Sequence, residues 1–129
     1  MIFVETEVSE FKKYVKDIKE AMKWLLLYTK KTNTFVDIFL VDSKVMDKNV
    51  LSYPEKASFP RPDRNGVTLG EIYLNPEYIK ENKESLLYML VHGYLHLLGY
   101  DHIRKDDRIV MEKEEDLIMS KLTELGISF

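Results

Sequence analysis

Residues 85–102 read Ser-Leu-Leu-Tyr-Met-Leu-Val-His-Gly-Tyr-Leu-His-Leu-Leu-Gly-Tyr-Asp-His and contain all three histidines of the chain. Apolar side chains fill most positions from Leu86 to Leu98, the pattern of a well-buried helix, and Gly99 stops it. His92 and His96 are four residues apart, so on a helix they share one face, one turn apart. Their ring nitrogens can then meet one ion at about 2.0–2.1 Å. A helix continued through residue 102 would carry the third histidine off that face. Gly99 permits the left-handed turn that brings His102 back. Three imidazoles leave a fourth coordination position open, which separates catalytic from structural zinc. The expected metal ligands are His92, His96 and His102, with Zn2+ as the expected ion. Nickel or another divalent transition metal also suits three imidazoles.

Strands and helices alternate around this segment. Ile2–Val4 reads as a short strand. From Ser9, a plausible N-cap, the residues Phe11, Tyr14, Val15, Ile18, Met22, Leu25 and Leu26 form one apolar helical stripe. Lys12, Lys13, Lys16, Lys19, Lys23, Lys30 and Lys31 occupy the opposite face, either as a solvated surface or as a polyanion contact. Phe35–Val41, Val50–Tyr53 and Leu69–Leu74 read as strands, and Pro76 suits the first turn of a helix. Glu55–Gly66, with Pro60, Pro62 and Gly66, reads as a loop. A last helix is expected from about Asp106 to Leu125, capped by Asp106 or Asp107 and ended by Gly126. The expected fold class is α/β (α+β). It comprises one domain over residues 1–129, with a small mixed sheet of about four strands packed with helices.

Composition narrows the function classes. With 129 residues, 45% hydrophobic and 32% charged, the chain suits one soluble core. The absence of cysteine rules out disulfides and thiolate ligands. MIFVETEVSE does not read as a signal peptide, and no apolar run approaches the roughly 20 residues of a membrane span. A cytoplasmic protein without a membrane partner is expected. The net charge of −3 exerts no general pull on nucleic acid, so no DNA binding is expected.

A three-histidine metal could serve peptide or phosphodiester hydrolysis, because it acidifies its water and polarises carbonyl and phosphoryl oxygens alike. The spacing equals that of the metzincin peptidases, H-E-x-x-H-x-x-G-x-x-H, whose glutamate is the general base. Gly93 stands at that position, which argues against proteolysis.

The stretch His92-Gly-Tyr-Leu-His96-Leu-Leu-Gly-Tyr-Asp101-His102 resembles the signature of the YbeY family of bacterial ribosomal RNA maturation factors. Asn49-Val-Leu-Ser-Tyr-Pro54 is similar to that family's V-L-S-F-P strand, and Gly70-Glu71-Ile-Tyr-Leu74 to its G-D-I-x-I strand. Met111 falls where the family commonly has a methionine. The likeness covers about residues 34–125. It implies a single-strand-specific, metal-dependent endoribonuclease that uses zinc-activated water in ribosomal RNA maturation and ribosome quality control. Its implied partners are single-stranded RNA, ribosomal RNA and ribosomal components. The family's usual connection before V-L-S-F-P is longer and carries an arginine held to contact RNA phosphate. Here Asp42–Asn49 contains no arginine, only Lys44 and Lys48. Lys48, with Arg61 and Arg64 of the next loop, are the candidate phosphate contacts. Asp101 is either a partner that orients a histidine or a turn residue, and Met111 is expected to pack beneath the site. The acidic run Glu112, Glu114, Glu115 and Asp116 is expected to be a solvated helix face. The rival functions are a zinc metallopeptidase-like hydrolase and a non-catalytic ribosome-associated protein with a structural metal. Oligomeric state is left open.

Overall fold

A computed structural model describes residues 1–55 and 64–129. Among them are four strands, β1 (Ile2–Thr6), β2 (Thr34–Leu40), β3 (Val50–Pro54) and β4 (Val67–Leu74). They form one mixed sheet in the order β1-β2-β4-β3, with β3 antiparallel to β4 and the other pairs parallel. Four α-helices accompany it: α1 (Val15–Tyr28), α2 (Pro76–Glu81), α3 (Leu86–Leu97) and α4 (Lys105–Glu124). The α+β class and the four-stranded mixed sheet agree with the sequence reading. No helix among the described residues is long and apolar enough to cross a membrane.

The core follows from strand alternation. Val36, Ile38 and Leu40 of β2 and Ile72 and Leu74 of β4 are buried on the helix-covered face. Ile18, Met22 and Leu25 of α1 meet Leu87, Leu90, Val91 and Tyr94 of α3 in the same cluster. The seven lysines of residues 12–31 are all exposed. Gly70 has φ +145°, and a Cβ there would lie 2.3 Å from the Tyr53 carbonyl oxygen, so β3 and β4 close only over glycine.

Two helix starts differ from the sequence reading. Ser9 opens a 3-10 helix (Ser9–Tyr14) whose cap is Val8, with no side-chain cap bond. The Val8 amide donates instead to Thr6 Oγ1 at 3.1 Å, so the polar group that settles this bend lies before Ser9. The cap of α4 is Arg104 rather than Asp106 or Asp107, and both acids fall inside its first turn. There they still favour the helix, because carboxylates complement its positive N-terminal end. Two helix ends agree with expectation: Gly99 (φ +100°) follows α3, and Gly126 (φ +76°) follows α4.

The connection between β2 and β3 is held by two asparagines. Asn75 is fully buried and caps α2 by accepting the Tyr78 amide at 3.0 Å. Its side-chain amide donates to the Met46 carbonyl at 2.7 Å and to Ser43 Oγ at 3.2 Å. Asn49 donates to the Glu84 carboxylate at 3.2 and 3.3 Å, and its backbone carbonyl accepts the Asn75 amide at 3.0 Å. Lys48 therefore directly precedes an anchored residue, two positions before β3.

Candidate metal centre

The last two turns of α3 and the turn after Gly99 bring the three imidazoles together. One nitrogen from each of His92, His96 and His102 lies within 4.8 Å of the others. The ring centroids are 4.6, 4.9 and 5.6 Å apart. His92 and His96 are partly buried and His102 is exposed, so the cluster opens to solvent on one side.

The other ring nitrogens decide what the cluster can hold. His96 Nδ1 lies 2.9 Å from the Tyr100 carbonyl oxygen, which only accepts, so Nδ1 carries the proton. His92 Nδ1 faces the Glu115 carboxylate at 3.3 Å and is likewise the donor. In neutral rings with those tautomers, both Nε2 atoms present lone pairs, 3.1 Å apart. Two lone pairs at that distance repel unless a cation lies between them. Tetrahedral zinc with bonds of about 2.0–2.1 Å would set such nitrogens roughly 3.3 Å apart. A proton is the poorer cation here, because burial first and then the neighbouring His92 hold His96 below the ordinary value of 6.5. The three residues fit a divalent metal.

Glu115 was missed by the sequence reading. The acidic run predicts a solvated face there, yet Glu115 is 2% exposed and lies beneath His92. The reason is register: Met111, Glu115, Ile118 and Leu122 are the buried residues of α4, so position 115 falls on its apolar stripe. An acid in that stripe was the available signal. Tyr88 of α3 stands on the same carboxylate, and burial first, then its hydrogen bond to Glu115, push its phenol well above the ordinary range. The Nδ1–H of His92 thus aims at Glu115, which fixes the ring as such carboxylates do at metal sites. Met111 is buried and lines a cavity with His92, His102 and Glu115, as expected.

The remaining candidates separate by position. Asp101 accepts the His102 and Ile103 amides at 2.6 and 3.2 Å, so it shapes the turn that presents His102. Lys48 is exposed and lines a cavity of about 520 Å³ with Ser52 and all three histidines. Arg64 lies elsewhere: its guanidinium pairs with Asp37 at 2.7 Å, donates to Thr68 Oγ1 at 3.1 Å and covers the rings of Phe3 and Phe35. Arg61 lies outside the described residues. At Gly93 a Cβ would come within 2.9 Å of Ser52 Oγ and 3.0 Å of Ile72 Cγ2, and Ser52 Oγ donates to the Gly93 carbonyl at 2.9 Å. The position of the metzincin glutamate is thus filled by the sheet.

A sequence profile described as "Endoribonuclease YbeY" matches residues 2–123. The chain belongs to the YbeY family. A relative from Buchnera aphidicola subsp. Schizaphis graminum, named Endoribonuclease YbeY, is 36% identical over 118 residues, covering 75% of this chain and 73% of that protein. A Wolbachia relative of the same name is 41% identical over 88 residues, covering 60% of this chain and 55% of its own length. The Clostridium botulinum Alaska E43 relative is 33% identical over 97 residues, covering 60% and 58%. The fold is similar to the solution structure of TM1509 from Thermotoga maritima, with a TM-score of 0.56 at 20% identity over 96% of this chain and 93% of that one. The YbeY resemblance carried by the histidine stretch thus extends through β1 and α1.

Proposed function

We propose that this chain, as one domain over residues 1–129, is a zinc-dependent endoribonuclease that cuts single-stranded RNA. In this reading its partners are ribosomal RNA and ribosomal components, and its work is RNA maturation and ribosome quality control in the cytoplasm. Membership in an endoribonuclease family supports an RNA-cleaving hydrolase. The observation that carries the metal is the convergence of one ring nitrogen from each of His92, His96 and His102 within 4.8 Å, in a cluster open to solvent.

When bound, the ion acidifies a coordinated water and polarises a phosphoryl oxygen. The chain's own groups do the rest. Glu115 and the Tyr100 carbonyl hold two imidazoles in the required tautomer and orientation. Lys48, two residues before β3, lines the same cavity as the histidines and offers positive charge to a phosphodiester. With Gly93 packed on the sheet, α3 places no carboxylate beside the metal, which weighs against a peptidase.

The test is incubation of zinc-loaded protein with end-labelled single-stranded and duplex RNA, with an unstructured peptide in parallel. Internal cleavage of the single strand alone is expected, lost on chelation and restored by zinc. Turnover of the peptide would favour a metallopeptidase instead. A chelator-induced fall in melting temperature without hydrolysis at any metal loading would make the metal structural. Bound zinc at 100-fold above its Kd stabilises by about 2.7 kcal/mol.

A further inference from the structure

We infer that Arg108 is a second phosphate contact, on the opposite side of the histidines from Lys48. It would receive a phosphate of the nucleotide next to the scissile bond. This inference rests on the endoribonuclease reading above.

The argument starts from the register of α4. Met111 and Glu115 anchor that helix in the interior, and residues 108, 111, 112 and 115 follow the three- and four-residue spacing of one helix face. Arg108 is thereby carried to a cavity of about 240 Å³ that His92 and His102 also line. The larger cavity beside Lys48 shares Asn49, Val50, His92 and His102 with it. The two therefore adjoin at the histidines and form one path across them, with Lys48 on the β3 side and Arg108 on the α4 side. A single strand drawn across the metal would have a phosphate on each side of the reacting one.

The guanidinium is also free to take such a ligand. Arg108 is exposed, and among the described residues it makes no ion pair or side-chain hydrogen bond. Two carboxylates line the same cavity. Glu115 is engaged by His92. Glu112, one turn after Arg108, is exposed and forms no close pair with it. A guanidinium and a divalent cation lining one cavity repel each other, and an anion between them removes that repulsion. Guanidinium geometry matches the two non-bridging oxygens of a phosphodiester, which a lysine ammonium does not.

The test measures binding of a non-cleavable 2′-O-methyl single-stranded oligonucleotide across a salt series, and cleavage of the matching RNA. It uses zinc-loaded wild type, Arg108→Ala, Arg108→Lys and, as a control on the exposed face of α4, Lys113→Ala. For Arg108→Ala, binding about 10-fold weaker is expected, with the log–log salt slope reduced by about 0.7, the value for one phosphate on a single strand. Arg108→Lys should restore the slope without restoring the cleavage rate, and Lys113→Ala should match wild type. Zinc content and melting temperature should be unchanged throughout. Wild-type cleavage with Arg108→Ala binding, slope and rate all unaltered would overturn the inference and leave the proposed function standing. A wild type that neither binds nor cuts the strand would overturn both.

Discussion

Replacing His96 with alanine is expected to abolish stoichiometric zinc binding and to lower cleavage of single-stranded RNA by at least about a thousand-fold, on the order of 4 kcal/mol of barrier. The size follows from geometry. His96 Nε2 stands 3.1 Å from that of His92, so its loss leaves His92 and the exposed His102 without the central member of the set. The fold should survive. Alanine is the better helix former, and the lost bond to the Tyr100 carbonyl is worth only about 0.5–1.5 kcal/mol. Metal analysis, circular dichroism and the RNA assay on one preparation check all three points. Full-rate cleavage by the variant would assign the activity to a contaminant.

The second large effect is expected at Glu115, where no ligand is touched. Glu115→Ala removes the acceptor from His92 Nδ1 and the carboxylate beside the Tyr88 phenol, both groups being partly buried. Zinc affinity should fall by about 10–100-fold. Stability of the metal-free protein should fall by about 1.5–3 kcal/mol, the typical worth of a hydrogen bond to a charged group. Glu115→Gln keeps an acceptor oxygen in the same place and should recover most of the stability and part of the affinity. Competition against a chromophoric chelator, with denaturant unfolding of the metal-free proteins, reads both quantities. An alanine variant that binds zinc as tightly as wild type would show that the His92 ring is oriented by its helix alone.

How much was legible in the sequence depended on how local each feature is. The three histidines lie within eleven residues, and one helical period plus one glycine suffices to bring them together. Gly99 and Gly126 ended their helices because backbone with positive φ is a local demand. The buried half of the site was not legible in this way. Glu115 lies 23 residues beyond His92 and reaches it only because α4 packs on α3. Charge counting placed it in a solvated run, whereas the spacing of Met111, Ile118 and Leu122 would have placed it inside. Arg64 shows the converse: composition offered it as a phosphate contact, and the fold gives its guanidinium to Asp37 on β2. At Ser9 the apolar pattern ran on smoothly from a 3-10 helix into α1, because both periods repeat every three to four residues and the pattern cannot separate them.

X-ray absorption at the zinc edge, on protein loaded with one equivalent of zinc and free of RNA, tests the centre most directly. The geometry of His92, His96 and His102 predicts three imidazole nitrogens at about 2.0–2.1 Å and one further light atom from solvent. Loss of one imidazole contribution should follow from His102→Ala. A shell closed by a fourth side chain, or a spectrum unchanged in that variant, would contradict an open three-histidine site and leave the hydrolytic chemistry without a centre.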